Sequence, residues 1–184
     1  MYESLSNEQL ITIANEIGGP VYVYDAGKIA QQYEKLTSAF SEHPTKFFYA
    51  CKALSNINIL KFIKSLGAQL DCVSINEVRL GLLAGYLPDQ ILFTPNCVDF
   101  QEIADGVTLG VKINIDSISI LEQFGNTYGN TYPVCIRINP HIVAGGNYKI
   151  STGHSNSKFG ISVYQLQQIM EIVNQHNIQV NGLH

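Results

Sequence analysis

The chain has 184 residues, 46% hydrophobic and 14% charged, and its eleven Lys plus Arg against fifteen Asp plus Glu give a formal net charge of −4. That length suffices for one hydrophobic core, and an acidic balance with no clustered basic stripe excludes a nucleic-acid binder. No apolar run reaches the roughly 18 residues of a membrane span, and residues 1–10 lack the basic-then-apolar pattern of a secretion signal, so the expected location is the cytoplasm with no membrane partner.

In chain order, residues 5–17 have the spacing of an amphipathic helix, Pro20-Val21-Tyr22-Val23-Tyr24-Asp25 reads as a strand, and residues 27–40 read as a second helix. From residue 46 short apolar runs alternate with amphipathic stretches. Lys46-Phe47-Phe48-Tyr49-Ala50-Cys51 is an aromatic-rich strand, and Ile57, Leu60, Phe62, Ile63 and Leu66 follow at helical spacing up to the stop at Gly67. Residues 68–73 form the next strand, and Val78, Leu80, Leu82 and Leu83 mark a helix closed by Gly85. A third strand at 91–94 precedes a short helix from Asp99 to about residue 104. The fourth strand, 111–115, leads to a helix capped by Asp116 or Ser117 that carries Ile118, Leu121 and Phe124. Residues 133–139 are a fifth strand, 141–161 a long loop, 163 to about 175 a helix, and 178–184 a sixth strand.

Six strand–helix alternations, with strands apolar on both faces, predict an α/β fold with a parallel sheet covered by helices. A doubly wound sheet and a (β/α)8 barrel both fit. No G-x-G-x-x-G follows the first strand, which weakens a dinucleotide site. A complete barrel takes about 250 residues. This chain reaches its last residue on a strand after six units, so the expectation is a truncated barrel over residues 45–184. Residues 1–44 would hold the N-terminal helix, the leading strand at 20–25 and a linking helix. That strand is expected to pair with a sheet outside the chain.

Cys51, Cys72, Cys97 and Cys135 are widely spaced with no C-x-x-C pair, and His43, His141, His154, His176 and His184 have no ligand-like spacing. The cysteines are read as reduced core or site-lining residues, and no metal is expected.

Ionisable residues within strands or at their carboxyl ends carry the chemistry, because parallel α/β folds build their sites on that face. Setting aside Lys46 and Lys112, these are Lys52, Asp71, Asp116 and Arg137. The period of two places Phe48, Ala50 and Lys52 on one side of the first strand. A lysine there, among Tyr49, Cys51 and Ala53, would lose hydration and favour the neutral amine that Schiff-base chemistry needs. The plain alternative is a lysine past the strand end that reaches water. Asp71, one strand over, would pair with Lys52 or a cationic ligand, or serve as a structural ion pair. Ser74-Ile75-Asn76-Glu77 matches the S-x-x-E capping box, a sufficient structural reason for Glu77. Of the two arginines, Arg79 falls on a solvated helix face. Arg137 sits in the apolar run Cys135-Ile136-Arg137-Ile138-Asn139, where a lone guanidinium needs a carboxylate, phosphate or phenolate, or a neighbouring Asp. The 141–161 loop, with Gly145-Gly146, Ser151-Thr152-Gly153 and Lys158-Phe159-Gly160, is long enough to be functional but too irregular for a phosphate loop.

Phe48-Tyr49-Ala50-Cys51-Lys52-Ala53 resembles the Y-A-x-K-A strand of the fold-type III pyridoxal-phosphate decarboxylases, the diaminopimelate and ornithine decarboxylase family. Leu70-Asp71-Cys72-Val73-Ser74-Ile75-Asn76-Glu77 is similar to that family's D-x-x-S-x-x-E segment. Arg137-Ile138-Asn139-Pro140, Ile150-Ser151-Thr152-Gly153 and Lys158-Phe159-Gly160-Ile161 resemble its diaminopimelate branch. The likeness runs from residue 20 to the last residue, and the order and spacing of the pieces make it specific.

The resemblance implies a pyridoxal-phosphate-binding barrel of the alanine racemase-like type, in which Lys52 forms a Schiff base with pyridoxal 5'-phosphate. It places Asp71, Glu77 and Arg137 on the cofactor and Lys158 near the interface of a homodimer. The strand at 20–25 would belong to the family's C-terminal β domain. The implied reaction is decarboxylation of meso-2,6-diaminopimelate to L-lysine and CO2 in lysine biosynthesis. The alternatives are another basic amino-acid decarboxylase acting on ornithine or arginine, or a non-catalytic pyridoxal-phosphate-binding barrel. Gly182-Leu183-His184 matches the start of the family's G-L-H-x-H-I-G-S segment, so His184 is the first histidine of that motif and not the ring-stacking one. The phosphate site, the acidic partner of the pyridine nitrogen and the cysteine of the partner subunit are missing from the pattern. The chain alone is therefore expected to be inactive or crippled.

Overall fold

The structure, a computed structural model, describes residues 5–143 and 151–184. Two helices lead, α1 (Asn7–Ile17) and α2 (Ala26–Ser38). Then β1 (Phe48–Ala50), α3 (Ile57–Ser65), β2 (Gln69–Cys72), α4 (Ile75–Leu83), β3 (Ile91–Phe93), α5 (Phe100–Thr108), β4 (Lys112–Ile115) and α6 (Ile118–Tyr128) alternate. The chain continues through β5 (Val134–Ile136), β6 (Ile138–Asn139), β7 (Ile161–Ser162), α7 (Leu166–His176) and β8 (Val180–Leu183).

The main sheet has the order β1-β2-β3-β4-β5-β8, and every pairing in it is parallel. Each unit adds its strand beside the previous one, without the reversal that defines a doubly wound sheet. With right-handed crossovers this order puts α3 to α7 on a single face. Consecutive helices from α3 to α7 do pack on one another. The described strands thus form an open barrel arc, and the choice left by the sequence falls to the barrel.

The helix-facing side chains Leu70, Cys72, Ile91, Phe93, Ile113, Ile115, Val134 and Ile136 are all 0–1% exposed. Burying a side chain of this size contributes about 1.5–3 kcal/mol, against about 1 kcal/mol for a helix cap, so packing decides where the helices sit. Two glycines set how close they come. A Cβ on Gly81 of α4 would lie 2.5 Å from Leu70 Cδ2, and one on Gly106 of α5 would lie 2.9 Å from Ile113 Cδ1.

The strands are not apolar on both faces. The opposite face carries Gln69 and Asp71 on β2, and Lys112 and Asn114 on β4. The Lys112 ammonium lies 5.5 Å from the Phe48 ring centroid and 3.5 Å from Gln69 Oε1, and burial lowers its pKa. This face would look inward in a closed barrel, which explains why polar residues persist in otherwise buried strands.

Three other expectations are corrected. Residues 21–25 form no strand among the described residues: Tyr22 is 88% exposed, and Asp25 accepts the Lys28 N–H as the cap of α2. Alternation alone makes no strand without a ladder to join. The strand expected over 133–139 divides at Arg137, whose N–H is given to Ile115 O and whose carbonyl receives the Ile161 N–H, so β6 pairs with β7 instead. The short helix after Asp99 continues to Thr108.

Caps behave as sequence chemistry dictates. Ser6, Asp25, Asn56, Ser74, Asp99 and Ser117 each accept a first-turn N–H. The last settles the choice left between Asp116 and Ser117.

Candidate active site

The carboxyl ends of the strands gather Lys52, Asp71, Thr94, Asp116, Arg137 and His184 along one rim of the arc. β1 ends at Ala50, and residues 51–53 form a single 3-10 turn that buries Cys51 and exposes Lys52. The alternation of the strand therefore does not reach position 52. Of the two readings open for this residue, the structure has the lysine past the strand end that reaches water. Lys52 makes neither a hydrogen bond nor an ion pair among the described residues.

Asp71 does not pair with Lys52. Its Oδ1 accepts the Thr94 hydroxyl at 2.6 Å, and the Thr94 N–H is given to Cys72 O at 2.7 Å. The one ion pair among the described residues joins Arg79, on the outer face of α4, to Asp105 of α5 at 3.1 Å. Ser74 Oγ accepts the Glu77 N–H as the capping box requires, but Glu77 Oε2 takes the N–H of Val73, at 2.7 Å, rather than that of Ser74. Glu77 thus closes the turn between β2 and α4.

Arg137 is half-buried, its guanidinium carbon 4.6 Å from the Phe159 ring centroid. Burial lowers its pKa, and the charges of Asp116 and Asp71 act in the other direction. Stacking contributes roughly 0.5–2 kcal/mol yet supplies no acceptor to the five N–H donors of a guanidinium. None of those donors has an acceptor among the described residues.

Asn114, fully buried in the middle of β4, places its amide nitrogen 2.9 Å from His184 Nδ1. In that arrangement Nδ1 accepts and the proton of the neutral ring sits on Nε2. Burial and the Arg137 charge lower the pKa of His184, opposed by Asp71. Asn114 Oδ1 is buried and has no hydrogen-bond partner among the described residues. Beside this group, Arg137, Pro140, Ser151, Thr152, Phe159 and His184 line a cleft of about 580 Å³. Gly145, Gly146 and Ile150 lie outside the described residues.

Lys158 is exposed. Its carbonyl lies 3.4 Å from Asn96 Nδ2, which also donates to Asp116 Oδ2 at 2.6 Å. Asn96, Thr94, Asn114 and Phe159 are site neighbours that sequence reasoning did not select. Thr94, two residues past Leu92 in strand alternation, carried a usable signal. The partnership of Asn96 with a loop 62 residues away carried none.

The cysteines also gather. One ligand atom each from Cys51, Cys72 and Glu77 lie within 4.8 Å of one another. Burial and the Glu77 charge push the Cys51 thiol up to about 11, and burial beside Cys51 and the carboxylates raises Cys72 further. Sequence spacing misses this cluster because its members come from two strand ends and a helix.

The family described as "Pyridoxal-dependent decarboxylase, pyridoxal binding domain" matches residues 26–184. The chain belongs to this family. Among its relatives, the diaminopimelate decarboxylase of Methanothermobacter thermautotrophicus is 33% identical over 176 residues, covering 95% of this chain and 41% of that protein. The crystal structure of Helicobacter pylori diaminopimelate decarboxylase complexed with L-lysine is 30% identical with a TM-score of 0.83, covering 97% of this chain and 46% of the other. The lysine/ornithine decarboxylase of Vibrio vulnificus complexed with putrescine is 25% identical with a TM-score of 0.78, covering 98% and 46%. The chain thus spans less than half the length of these relatives. No helix among the described residues is long and apolar enough to cross a membrane.

Proposed function

We propose that the chain is the pyridoxal-binding part of a cytoplasmic, homodimeric decarboxylase that converts meso-2,6-diaminopimelate to L-lysine and CO2. The observation that carries this reading is Lys52: an amine at the carboxyl end of β1 with no partner among the described residues, on the same rim as Asp71 and an Arg137 that likewise lacks an acceptor among them. When bound, pyridoxal phosphate supplies an aldehyde to the amine and a ring that accepts the electron pair left by departing CO2.

The residues present fit such a group. Lys52 gives the nucleophilic amine. The Arg137 donors suit an anionic oxygen, and the orphaned Asn114 Oδ1 leaves an acceptor facing the same side. Asp71, fixed by Thr94, and Glu77, fixed by Val73, contribute negative charge at the ends of β2 and α4. Lys158, exposed in the loop after β6, is assigned to the subunit interface.

A second substrate reading, ornithine or another basic amino acid, is favoured by the likeness to the Vibrio vulnificus enzyme. The Ser151-Thr152-Gly153 segment on the cleft favours diaminopimelate.

Adding pyridoxal phosphate to the purified chain is expected to produce the absorption band of a lysine–cofactor Schiff base, lost in Lys52→Ala. A band that survives that substitution would overturn the assignment of Lys52. A product assay on the full-length enzyme, offered diaminopimelate, ornithine, arginine and lysine separately, identifies the substrate. Lysine formed from diaminopimelate alone supports the first reading, and CO2 from ornithine or arginine supports the second.

A further inference from the structure

Behind Lys52 the fold brings together three donors that the proposed reaction does not use as a set. Cys51 opens the turn after β1, Cys72 ends β2 and Glu77 stands in the first turn of α4. Both cysteines are 0% exposed, and one ligand atom from each of the three residues lies within 4.8 Å of the other two. Ala50 and Asp71, the residues just before the two cysteines, are register partners in the parallel ladder. The ladder ends one residue before each cysteine and so sets their backbones beside one another. Glu77 Oε2 receives the Val73 N–H at 2.7 Å, which orients the carboxylate and leaves its other oxygen without a hydrogen bond among the described residues.

We propose that Cys51, Cys72 and Glu77 form a binding site for one thiophilic divalent cation of the zinc or cadmium class. Two sulfurs and a carboxylate oxygen suit such ions, with water in the fourth position, whereas magnesium and calcium require oxygen donors throughout. With metal–sulfur bonds of about 2.3 Å, two sulfurs on a tetrahedral ion stand about 3.8 Å apart. The two sulfurs would close by no more than about 1 Å to reach that spacing. The Val73 N–H is the kind of outer contact that fixes a carboxylate ligand in orientation. Each thiol loses its proton to solvent as its sulfur–metal bond forms, so one bound ion releases two protons and nothing is oxidised. Cys51 precedes Lys52 directly, so loading the site would draw on the turn that carries the amine. That last consequence rests on the proposed function, and the binding itself does not.

The test uses the whole chain with Cys97→Ser and Cys135→Ser, leaving Cys51 and Cys72 as its only thiols, and cadmium ion without pyridoxal phosphate. The expected result is a thiolate-to-cadmium charge-transfer band that saturates at one ion per chain, with two protons released. Adding Cys51→Ser should abolish the band, and Glu77→Gln should weaken binding about tenfold or more. If the double variant loses its helical circular dichroism, the same titration is made on the unaltered chain after alkylation of exposed Cys97. Absence of the band in folded protein overturns the proposal, as does a band of unchanged affinity after Cys51→Ser. Because no cofactor is present, failure here is distinct from failure of the Lys52 reading.

Discussion

Thr94 gives its hydroxyl proton to Asp71 across the β2–β3 boundary at 2.6 Å, and its own N–H goes to Cys72 O. The side chain and the backbone thus tie the same two strand ends together. Thr94→Val keeps the shape and removes the hydroxyl, leaving a half-buried carboxylate without that donor. A loss of about 1–3 kcal/mol in urea unfolding is expected, with most of it restored by Thr94→Ser. A neutral Thr94→Val would show that solvent already supplies the missing bond.

The approach of the helices to the sheet is tested by Gly81→Ala and Gly106→Ala. In an open helix either change would gain about 1 kcal/mol of propensity. Here the new methyl would meet Leu70 Cδ2 or Ile113 Cδ1 at 3 Å or less. Overpacking of this kind typically costs about 1–3 kcal/mol. Chemical denaturation should therefore find both variants less stable, Gly81→Ala more so.

Of the sheet, the sequence carried nearly everything that depends on burial. All six strand positions from residue 46 onward are occupied by strands of the arc, because Ile, Val, Leu and Phe on the helix side leave no other way to dry them. What eluded it depended on partners remote in the chain. Residues 20–25 look like a strand, yet nothing among the described residues pairs with them. Spacing left Lys52 between a dehydrated amine and one reaching water past the strand end, and the 3-10 turn at 51–53 decides for the second. Cys51, Cys72 and Glu77 gave no metal-like spacing because the ladder and the α4 cap, not their sequence separation, bring them together.

The thiols should divide by reactivity. Cys97 is exposed, and Cys51 and Cys72 are fully buried with their pKa values raised. Since the thiolate is the reacting species, Cys97 should label first with a disulfide reagent at neutral pH. Cys51 and Cys72 are closed to a reagent far bulkier than a metal ion and should label only as the chain unfolds, and peptide mapping after timed labelling checks the order.

The imidazole of His184, with burial and the Arg137 charge both disfavouring its protonation, should titrate below the usual value of about 6.5. Between its lowered folded pKa and about 6.5 the unfolded chain binds more protons than the folded one. Stability contributed by the neutral ring is therefore complete above about pH 6.5 and is lost as pH falls through the folded value. Nuclear magnetic resonance titration of the ring locates the pKa. Melting temperature followed from pH 7 to 5 should fall less steeply in His184→Gln.

The neighbour-by-neighbour strand order has a kinetic corollary. From β1 to β5 each strand joins the one laid down about twenty residues earlier, so the entropy of closing each loop stays small and nearly constant. The arc can accordingly assemble by accretion, one strand-and-helix wedge at a time, as the polypeptide leaves the ribosome. Only β8, which docks on β5 across the long segment holding β6, β7 and α7, must wait for a distant part of the chain.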